Sequence, residues 1–381
     1  RDDFDNLAEK YAFMYSLRAI VATGVSDNIT SMKETFYQCE SLTDISSLAR
    51  WDVSNVKSMY LTFRECKSLS DISPLKDWDV SKVCDMASLF GECFSLCDIS
   101  PLRDWNTSNA GYMGGMFWKC RSLTDIGPLR DWDVSKAWDF SAMFEGCANI
   151  RDISALSDWD VSNACDINSM FSRCTALEDI SPLSNWNTSK VNKMQCMFEG
   201  CDSLTSLSGL EDWNVSNVSD MHSLFEGCTS LADLSPLAKW DVSGVEDMDC
   251  MFYGCSSLTD LDGLRDWDVS AVSSLRWTFR GCSKLHDIKG LRDWDTSNVA
   301  NMEMLFWCCS ELENLCGLEL WDVSNVRRIP DAFGLCMALV DCSAIDSWDL
   351  SMISSKYFAI QDSPNIERYP IWYDKKENIE F

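Results

Sequence analysis

Cysteine is the side chain with the most reactive chemistry in this sequence, which has 20 cysteines among 381 residues. Twelve of them occupy one position every 27 residues, from Cys39 to Cys336, shortly after a phenylalanine. No two cysteines have the CxxC spacing of a zinc site. A small apolar side chain at a fixed position is typical of a packed core, so we predict buried, reduced, structural thiols. The remaining cysteines lie off this column, at Cys84, Cys97, Cys165, Cys196, Cys250, Cys308, Cys316 and Cys342.

Residues that would indicate catalysis or phosphate binding are scarce. There are 2 histidines, His222 and His286, and neither lies in a nucleophile, metal or acid–base motif. The glycines Gly111, Gly114 and Gly115 belong to one repeat and do not form a phosphate-binding loop. We therefore predict that the protein is not an enzyme and has no catalytic residue, no metal ligand and no cofactor.

Two columns of acidic residues offer oxygen ligands at a regular spacing. Asp or Asn follows each repeated tryptophan, as at Asp52 and Asn106, and a serine stands two residues further on. A second column includes Asp44 and Asp71 but is interrupted at Ser206. Such side chains accept hydrogen bonds from nearby backbone N–H groups in turns, which is the interpretation we favour. Stacked carboxylates could instead bind calcium, although a glycine-rich ligand loop is missing.

A 27-residue period organises all of these positions. Tryptophan recurs at this step from Trp51 to Trp348, and phenylalanine from Phe36 to Phe333. A period of this length indicates stacked repeats, each of which buries its apolar face against its neighbours. We therefore predict one elongated domain. It comprises an N-terminal helical cap over residues 1–23, the repeat array over 24–353, and a degenerate repeat with a C-terminal cap over 354–381.

Within one repeat, such as residues 78–104, the apolar residues predict two short elements. Helical spacing over residues 83–90 predicts a short α or 3₁₀ segment. Residues 95–100, rich in leucine and isoleucine, predict one strand in each rung. Strands at equivalent positions of successive rungs would pair in parallel.

The net charge of −28 argues against binding to a nucleic-acid backbone and against docking on an anionic membrane surface. No run of about 18 apolar residues is present, so we predict no direct membrane insertion. We also predict a monomer, since an acidic surface is self-repelling.

The repeat resembles a known family. Copies such as WDVSKAWDFSAMFEGCANIRDIS (132–154) and WDVSGVEDMDCMFYGCSSLTDLD (240–262) are similar to the BspA-like leucine-rich repeats of bacterial, mycoplasmal and protist surface proteins. The similarity covers about residues 25–353. It implies an α/β repeat fold: a right-handed solenoid of the leucine-rich-repeat type with about 12–13 rungs, each with one short parallel strand and one short helix. It also implies a secreted or cell-surface protein, with the signal or anchor outside this sequence, and some members act as adhesins.

Positions that vary between repeats are the best candidates for recognition. Counted from each tryptophan as zero, positions +6, +9, +10 and +13 vary widely, while most others are nearly constant. Their helical spacing predicts that they share one outward face. Exposed aromatic and arginine side chains are common binding anchors. The candidate partner-binding residues on this face are Tyr253, Arg276, Trp277, Arg280 and Trp307 in one group, and Trp118 with Trp138 and Phe94 in another.

These observations favour a binding module, an adhesin or recognition protein at the cell surface or secreted. The partner would be a protein or glycan, possibly of a host or its extracellular matrix. Three alternatives stay open. The large side chains could lie flat over their neighbours without a binding role. The chain could be an intracellular interaction scaffold in the cytoplasm, or a calcium-dependent surface module.

Overall fold

The computed structural model of the protein describes residues 15–20, 29–353, 359–360 and 362–373. The chain forms two compact units. The first comprises Arg1–Leu177 with Asn185–Lys190, and the second comprises Glu178–Ser184 with Val191–Phe381. In both units the chain is organised in successive 27-residue rungs.

The helical elements are short 3₁₀ helices, one in most rungs, in the segment that often reads Ser-Pro-Leu. Proline suits the first turn of such a helix because its missing N–H is not needed there. Each helix buries its leucine or isoleucine in the core. The bounds are Ser46–Arg50, Ser73–Leu75, Ser100–Leu102, Gly127–Leu129, Ser154–Leu156, Ser181–Asn185, Ser235–Leu237, Asp262–Leu264, Lys289–Leu291 and Ser343–Ile345.

The helix predicted over residues 83–90 is wrong. These residues form successive tight turns, in which Leu89 N donates to Met86 O at 3.1 Å and Ser88 has a φ of 52°. A positive φ at the third residue of such a turn is the geometry of a type II turn and cannot continue a right-handed helix. The intervening N–H groups donate to the next rung instead, as from Ser88 N to Gly114 O at 2.8 Å. Hydrogen bonding between rungs therefore replaces hydrogen bonding along a helix.

The predicted strands are reduced to isolated parallel bridges throughout the described ranges. One series joins Ser58, Asp85, Tyr112, Asp139 and Asp166, inside the segment where the helix was predicted. A second series reaches the predicted strand in some rungs, as in Asp125 with Asp152. Because turns follow each bridge within two residues, the pairing does not lengthen into a strand.

Most of the predicted N-terminal cap lies outside the described residues. Tyr15 and Ser16 are helical, but residues 17–20, which also lie in the predicted helical cap, are not. Ala19 forms a parallel bridge with Asp44, and Ile20 N donates to Asp44 O at 3.0 Å. The first rung thus holds this segment in an extended conformation. In the predicted C-terminal region, 359–360 and 362–373 are described, and Trp372 Nε1 donates to Ile345 O at 2.8 Å.

The core consists of columns of identical residues stacked from rung to rung. In the second unit, the Phe225 ring lies 5.8 Å from that of Phe198, with an interplanar angle of 1°. The column tryptophans from Trp78 to Trp348 donate their indole N–H to a carbonyl 30 residues earlier, as from Trp240 to Leu210 at 2.8 Å. The column thiols do the same, with Cys147 Sγ 3.0 Å from Phe117 O. Burial raises the pKa of the Cys147 thiol to about 12, so it stays protonated near neutral pH.

The prediction of buried column cysteines is confirmed, since all of these thiols are buried and unbridged. The off-column cysteines differ among themselves. Cys84 and Cys97 are exposed, whereas Cys342 is buried.

The aspartates that follow the tryptophans close turns, as expected. Asp133 Oδ1 accepts hydrogen bonds from Ser135 N at 3.0 Å and from Ser135 Oγ at 2.6 Å. These bonds hold the pKa of Asp133 below its ordinary value. Asn106 accepts from Ser108 N in the same way at 3.1 Å. The turn therefore needs an oxygen acceptor and does not need a charge.

This difference predicts a pH-dependent effect at Asp133. The lowered pKa in the folded state means that the carboxylate stabilises the fold above the ordinary aspartate pKa of about 4, and that this contribution is lost as the pH falls through the lower folded value. Asp133→Ala should lower the melting temperature at pH 7 by about 1–4 °C, the effect of one exposed hydrogen bond. The deficit relative to the wild type should shrink between pH 6 and pH 3.

Asp133→Asn is the matched control, because the amide keeps the acceptor and cannot titrate. Melting curves followed by circular dichroism from pH 7 to pH 3 provide the measurement. A deficit of Asp133→Ala that stays constant over this range would contradict the assignment.

Candidate recognition surface

The first predicted group comes together in three consecutive rungs of the second unit. Tyr253, Arg276, Trp277, Arg280 and Trp307 are all half-buried, and we call them the arginine cluster. The Arg280 guanidinium carbon lies 5.1 Å from the Tyr253 ring centroid, 4.5 Å from that of Trp277 and 4.4 Å from that of Trp307. Arg276 lies 4.1 Å from the Trp277 ring. Both guanidinium groups are thus held on aromatic faces by cation–π contacts.

The backbone of the turns sets this stacking. Gly254 N donates to Arg280 O, and Gly281 N donates to Trp307 O, both at 2.7 Å. These bonds fix consecutive +13 residues one above the other. Trp277 has a φ of 61°, at the third residue of a type II turn, which turns it away from the buried neighbours Leu275 and Phe279. Positions +9, +10 and +13 are therefore outward-facing, but through successive turns and not through the helix that the spacing predicted.

The two cluster arginines are held by aromatic rings and not by carboxylates. Across the described ranges, neither Arg276 nor Arg280 has a carboxylate within 4 Å, whereas Arg328 pairs with Glu303 at 2.6 Å. The nearby Asp249 is used structurally, since its Oδ1 accepts from Arg276 N at 2.9 Å, and burial raises its pKa. The Nε atom of Arg280 and the Nε1 atom of Trp277 are buried without a hydrogen-bond partner. Other arginines of the described ranges, such as Arg103 and Arg292, also have no ion pair, so what distinguishes Arg280 is its contact with three aromatic rings.

The second predicted group does not form one cluster. Trp118 contacts Arg64, at 4.5 Å from the ring centroid, and Lys119, at 3.9 Å. Trp138 packs edge-on against Tyr112 instead, with ring centroids 4.6 Å apart. Phe94 lies near two further cations, Lys67 and Arg121. Sequence spacing placed these three aromatic residues in neighbouring rungs, but their side chains point to different partners.

Sequence reasoning missed Arg64, which lies at +13 two rungs before Trp118. The intervening +13 residue is Gly91, and a Cβ atom there would lie 3.6 Å from the Arg64 Cγ atom. Because glycine has no side chain, Arg64 can extend across this rung to reach the indole. A column in which glycine separates a cationic residue from an aromatic residue is the sequence pattern that could have predicted this contact.

One arrangement in the second unit has the residue types of a catalytic triad. His222 Nδ1 lies 2.9 Å from Asp220 Oδ1, and Cys196 is in the preceding rung. The Cys196 thiol, however, lies 4.0 Å from the backbone oxygen of His222. The histidine is oriented by its aspartate, and the thiol contact with His222 is to its backbone oxygen and not a nucleophile–base contact. The prediction that the chain is not an enzyme stays a prediction.

The calcium alternative depends on how the aspartate columns are arranged. No group of three or more His, Cys, Asp or Glu side chains suited to a metal ion occurs within the described ranges. Since the turn aspartates direct one oxygen at a backbone N–H two residues on, we expect the melting temperature to be the same in 1 mM EDTA and in 5 mM CaCl₂. A melting temperature several degrees higher in calcium than in EDTA would instead support the calcium-dependent surface module.

These features define a tandem-repeat protein of the leucine-rich-repeat type, with 27-residue rungs that bury their leucine positions. More particularly, the chain belongs to the family described as "Mycoplasma protein of unknown function, DUF285", whose family model matches residues 30–155, 125–233, 176–292 and 259–369. The prediction of a leucine-rich-repeat-type protein is confirmed at this level. The narrower BspA-like assignment stays a resemblance.

Three solved bacterial structures are similar to this chain. A leucine-rich repeat protein from Bacteroides ovatus is 16% identical, with 93% of this chain and 84% of that chain covered and a TM-score of 0.48. A leucine rich cell surface protein from Faecalibacterium prausnitzii is 16% identical, with 92% and 78% covered and a TM-score of 0.36. A leucine-rich repeat protein from Eubacterium ventriosum is 14% identical, with 100% and 92% covered and a TM-score of 0.40. Likenesses this distant do not identify a partner.

The comparison with curated proteins found no match. Within the described ranges, no helix has the length and apolar character needed to cross a membrane.

Proposed function

We propose that this chain is a binding module, secreted or displayed on a cell surface, that recognises a protein or glycan partner through the arginine cluster. The observation that carries the proposal is the state of Arg276 and Arg280. Both are stacked on aromatic rings, Arg280 on three of them, and neither is paired with a carboxylate. The surface or secreted location rests on the resemblance of the repeat motif to surface proteins.

The cluster is ordered before any partner binds. Binding normally costs the freedom of long side chains, by about 0.5–1.5 kcal/mol for each one immobilised. The contacts of Arg280 with Tyr253, Trp277 and Trp307 already restrict these side chains. Arginine, tryptophan and tyrosine are also the residues that most often dominate binding energies. The preorganised stack therefore supports a binding role better than it supports passive packing of large side chains.

The chemistry of the cluster favours a partner that presents an anionic group. A guanidinium stacked between rings keeps N–H donors at its edge, and these suit a carboxylate or sulfate. The overall acidity of the chain would repel a polyanion, so we expect one or two anionic groups set in an otherwise neutral or basic partner.

The test is binding of the protein to an array of extracellular-matrix proteins and glycans. A triple variant, Tyr253→Ser, Trp277→Ser and Trp307→Ser, should weaken binding by about 100-fold, because it removes the aromatic anchors and frees Arg280. Arg280→Lys should weaken binding by about 10-fold, since lysine keeps the charge but loses the planar donor edge.

Trp138→Ser is the control, because Trp138 is an exposed tryptophan outside the cluster. Melting curves establish that each variant is folded. If a partner binds the wild type and a folded triple variant with the same affinity, the cluster is not part of the binding site.

A further inference from the structure

An open groove of about 430 Å³ is lined by residues of the first unit. Its lining includes the side chains of Arg64, Ser88, Trp118, Asp139, Ser141 and Glu145. The volume is within the range of about 300–1,000 Å³ that is usual for small-ligand sites. Trp118 with the stacked Arg64 forms an aromatic wall, and hydroxyl and carboxylate groups form the rest.

The groove exists because three successive rungs have small residues at +9 and +10. Ala87, Gly114, Gly115 and Ala142 occupy these positions where the arginine cluster has Arg276 and Trp277. A Cβ atom on Gly114 would lie 2.7 Å from Ser141 Oγ and 2.9 Å from Asp139 Oδ1. The Ser141 hydroxyl and the Asp139 carboxylate of the next rung therefore lie close to Gly114 and line the groove.

Two polar groups of the groove, the Glu145 carboxylate and the Ser88 hydroxyl, make no hydrogen bond within the described part of the chain. The Arg64 Nε atom is buried without a hydrogen bond and lies 3.8 Å from a Glu65 carboxylate oxygen. Asp139 Oδ1, by contrast, accepts from both Ser141 N and Ser141 Oγ. The groove thus offers unused donors and acceptors beside an aromatic surface.

The charges in the groove oppose an ionic ligand. Arg64 is already near two carboxylates, 3.8 Å from Glu65 and 3.7 Å from Glu92. An anionic ligand would meet Asp139 and Glu145, and a cationic ligand would meet Arg64. A neutral ligand with many hydroxyl groups would avoid the repulsion between like charges in both cases. Its hydroxyls could hydrogen-bond with the carboxylates, the guanidinium and the serine hydroxyls.

We propose that this groove binds a neutral saccharide. A pyranose ring has an apolar C–H face that packs on an indole, and its vicinal hydroxyls match carboxylate, guanidinium and hydroxyl partners. Trp118 supplies the apolar contact, for which the Lys119 side chain, 3.9 Å from the centroid of the same ring, must move aside. The Glu145 carboxylate accepts hydrogen bonds from the sugar hydroxyls, and Arg64 and Ser88 donate to them.

The test uses saturation-transfer NMR and calorimetry with glucose, galactose, mannose, N-acetylglucosamine and N-acetylgalactosamine, and with disaccharides of each. We expect saturable binding of at least one sugar with a Kd of about 0.1–10 mM, because the groove is open and the ligand small. Trp118→Ala should weaken this binding at least about 10-fold, and Glu145→Gln about 5-fold through loss of the charged acceptor.

Two variants serve as matched controls. Trp138→Ala removes an exposed tryptophan outside the groove, and Glu246→Gln neutralises an exposed glutamate in the second unit. Both should bind the sugar like the wild type. The proposal is overturned if no sugar binds at 10 mM, or if a sugar binds equally well to a folded Trp118→Ala variant. The triple variant of the arginine cluster should retain sugar binding, so failure of either proposal can be told from failure of the other.

Discussion

Replacing Phe225 with alanine is expected to lower the free energy of unfolding by about 3–5 kcal/mol, the usual cost of removing a buried phenylalanine ring. Phe225 is fully buried and stacks between Phe198 and Phe252, with ring centroids 5.8 Å and 5.7 Å away. Its backbone is fixed by a hydrogen bond from its N–H to Met251 O at 2.9 Å and by one from the Cys255 thiol to its carbonyl at 3.1 Å. The rung cannot collapse to fill the space, so a cavity remains.

Urea unfolding, followed by circular dichroism, measures this effect. Because stacked repeats are coupled to their nearest neighbours, the loss should appear in the cooperative transition of the rungs around residue 225. Met337→Ala is the control, since Met337 is 46% exposed and its truncation should change the stability by less than about 0.5 kcal/mol. A Phe225→Ala protein that unfolds at the wild-type urea concentration would show that the stacked column contributes little.

Gly290→Ala, a change of one methyl group, is expected to destabilise the protein by about 1–3 kcal/mol, the range for overpacking in a rigid site. Gly290 is buried in the 3₁₀ helix Lys289–Leu291. A Cβ atom at this residue would collide with Leu261 O, and it would lie 2.6 Å from Leu261 C and 3.0 Å from Asp262 Cα. These atoms belong to the backbone of the preceding rung, so relief requires the rungs to separate.

Gly244→Ala in the same unit is the matched control. A Cβ atom at Gly244 would find Ser216 O at 3.5 Å, which is ordinary contact, and the substitution should be close to neutral. Comparison of the two melting temperatures separates a steric effect from the general effect of removing a glycine. Equal melting temperatures for the two variants would show that the rungs have room at Gly290.

The repeat period predicted much of the core because the same residue stands at the same place in every rung. A step of 27 residues puts Phe198, Phe225 and Phe252 in one column, and the structure stacks them. The local conformation was harder to predict. An apolar residue every third or fourth position suits a helix and also suits a series of type II turns. Cross-rung hydrogen bonds, which no single repeat contains, favour the turns.

Part of the turn geometry did have a signal in the sequence. Gly254 and Gly281 recur at +14 and have φ values of 73° and 74°. Glycine is the residue that adopts this conformation without strain. The other left-handed position, +10, gave no such signal, because it is occupied by residues as different as Ser88 and Trp277.

The two candidate sites were predictable to different degrees. Stacking of Tyr253, Arg280 and Trp307 follows directly from their shared position in consecutive rungs. The contact between Arg64 and Trp118 depends on an extended side chain crossing Gly91, and the groove beside it depends on what glycines leave empty. Glycines in one rung create a groove only when the side chains of the neighbouring rungs enclose the space, and a single repeat does not show this.

The sequence by itself thus determined which residues share a column, since counting residues along a fixed repeat fixes their neighbours above and below. Only the tertiary structure decided how each rung is folded and where there is space. Proline or alanine stands at the position of Gly290 in some rungs, as at Pro74 and Ala155, and glycine stands there in the two adjacent rungs, at Gly263 and Gly317, so the sequence alone does not show which rungs exclude a side chain. Whether alanine fits at Gly290 depends on the local distance between rungs, and that distance is set by the backbone of the preceding rung.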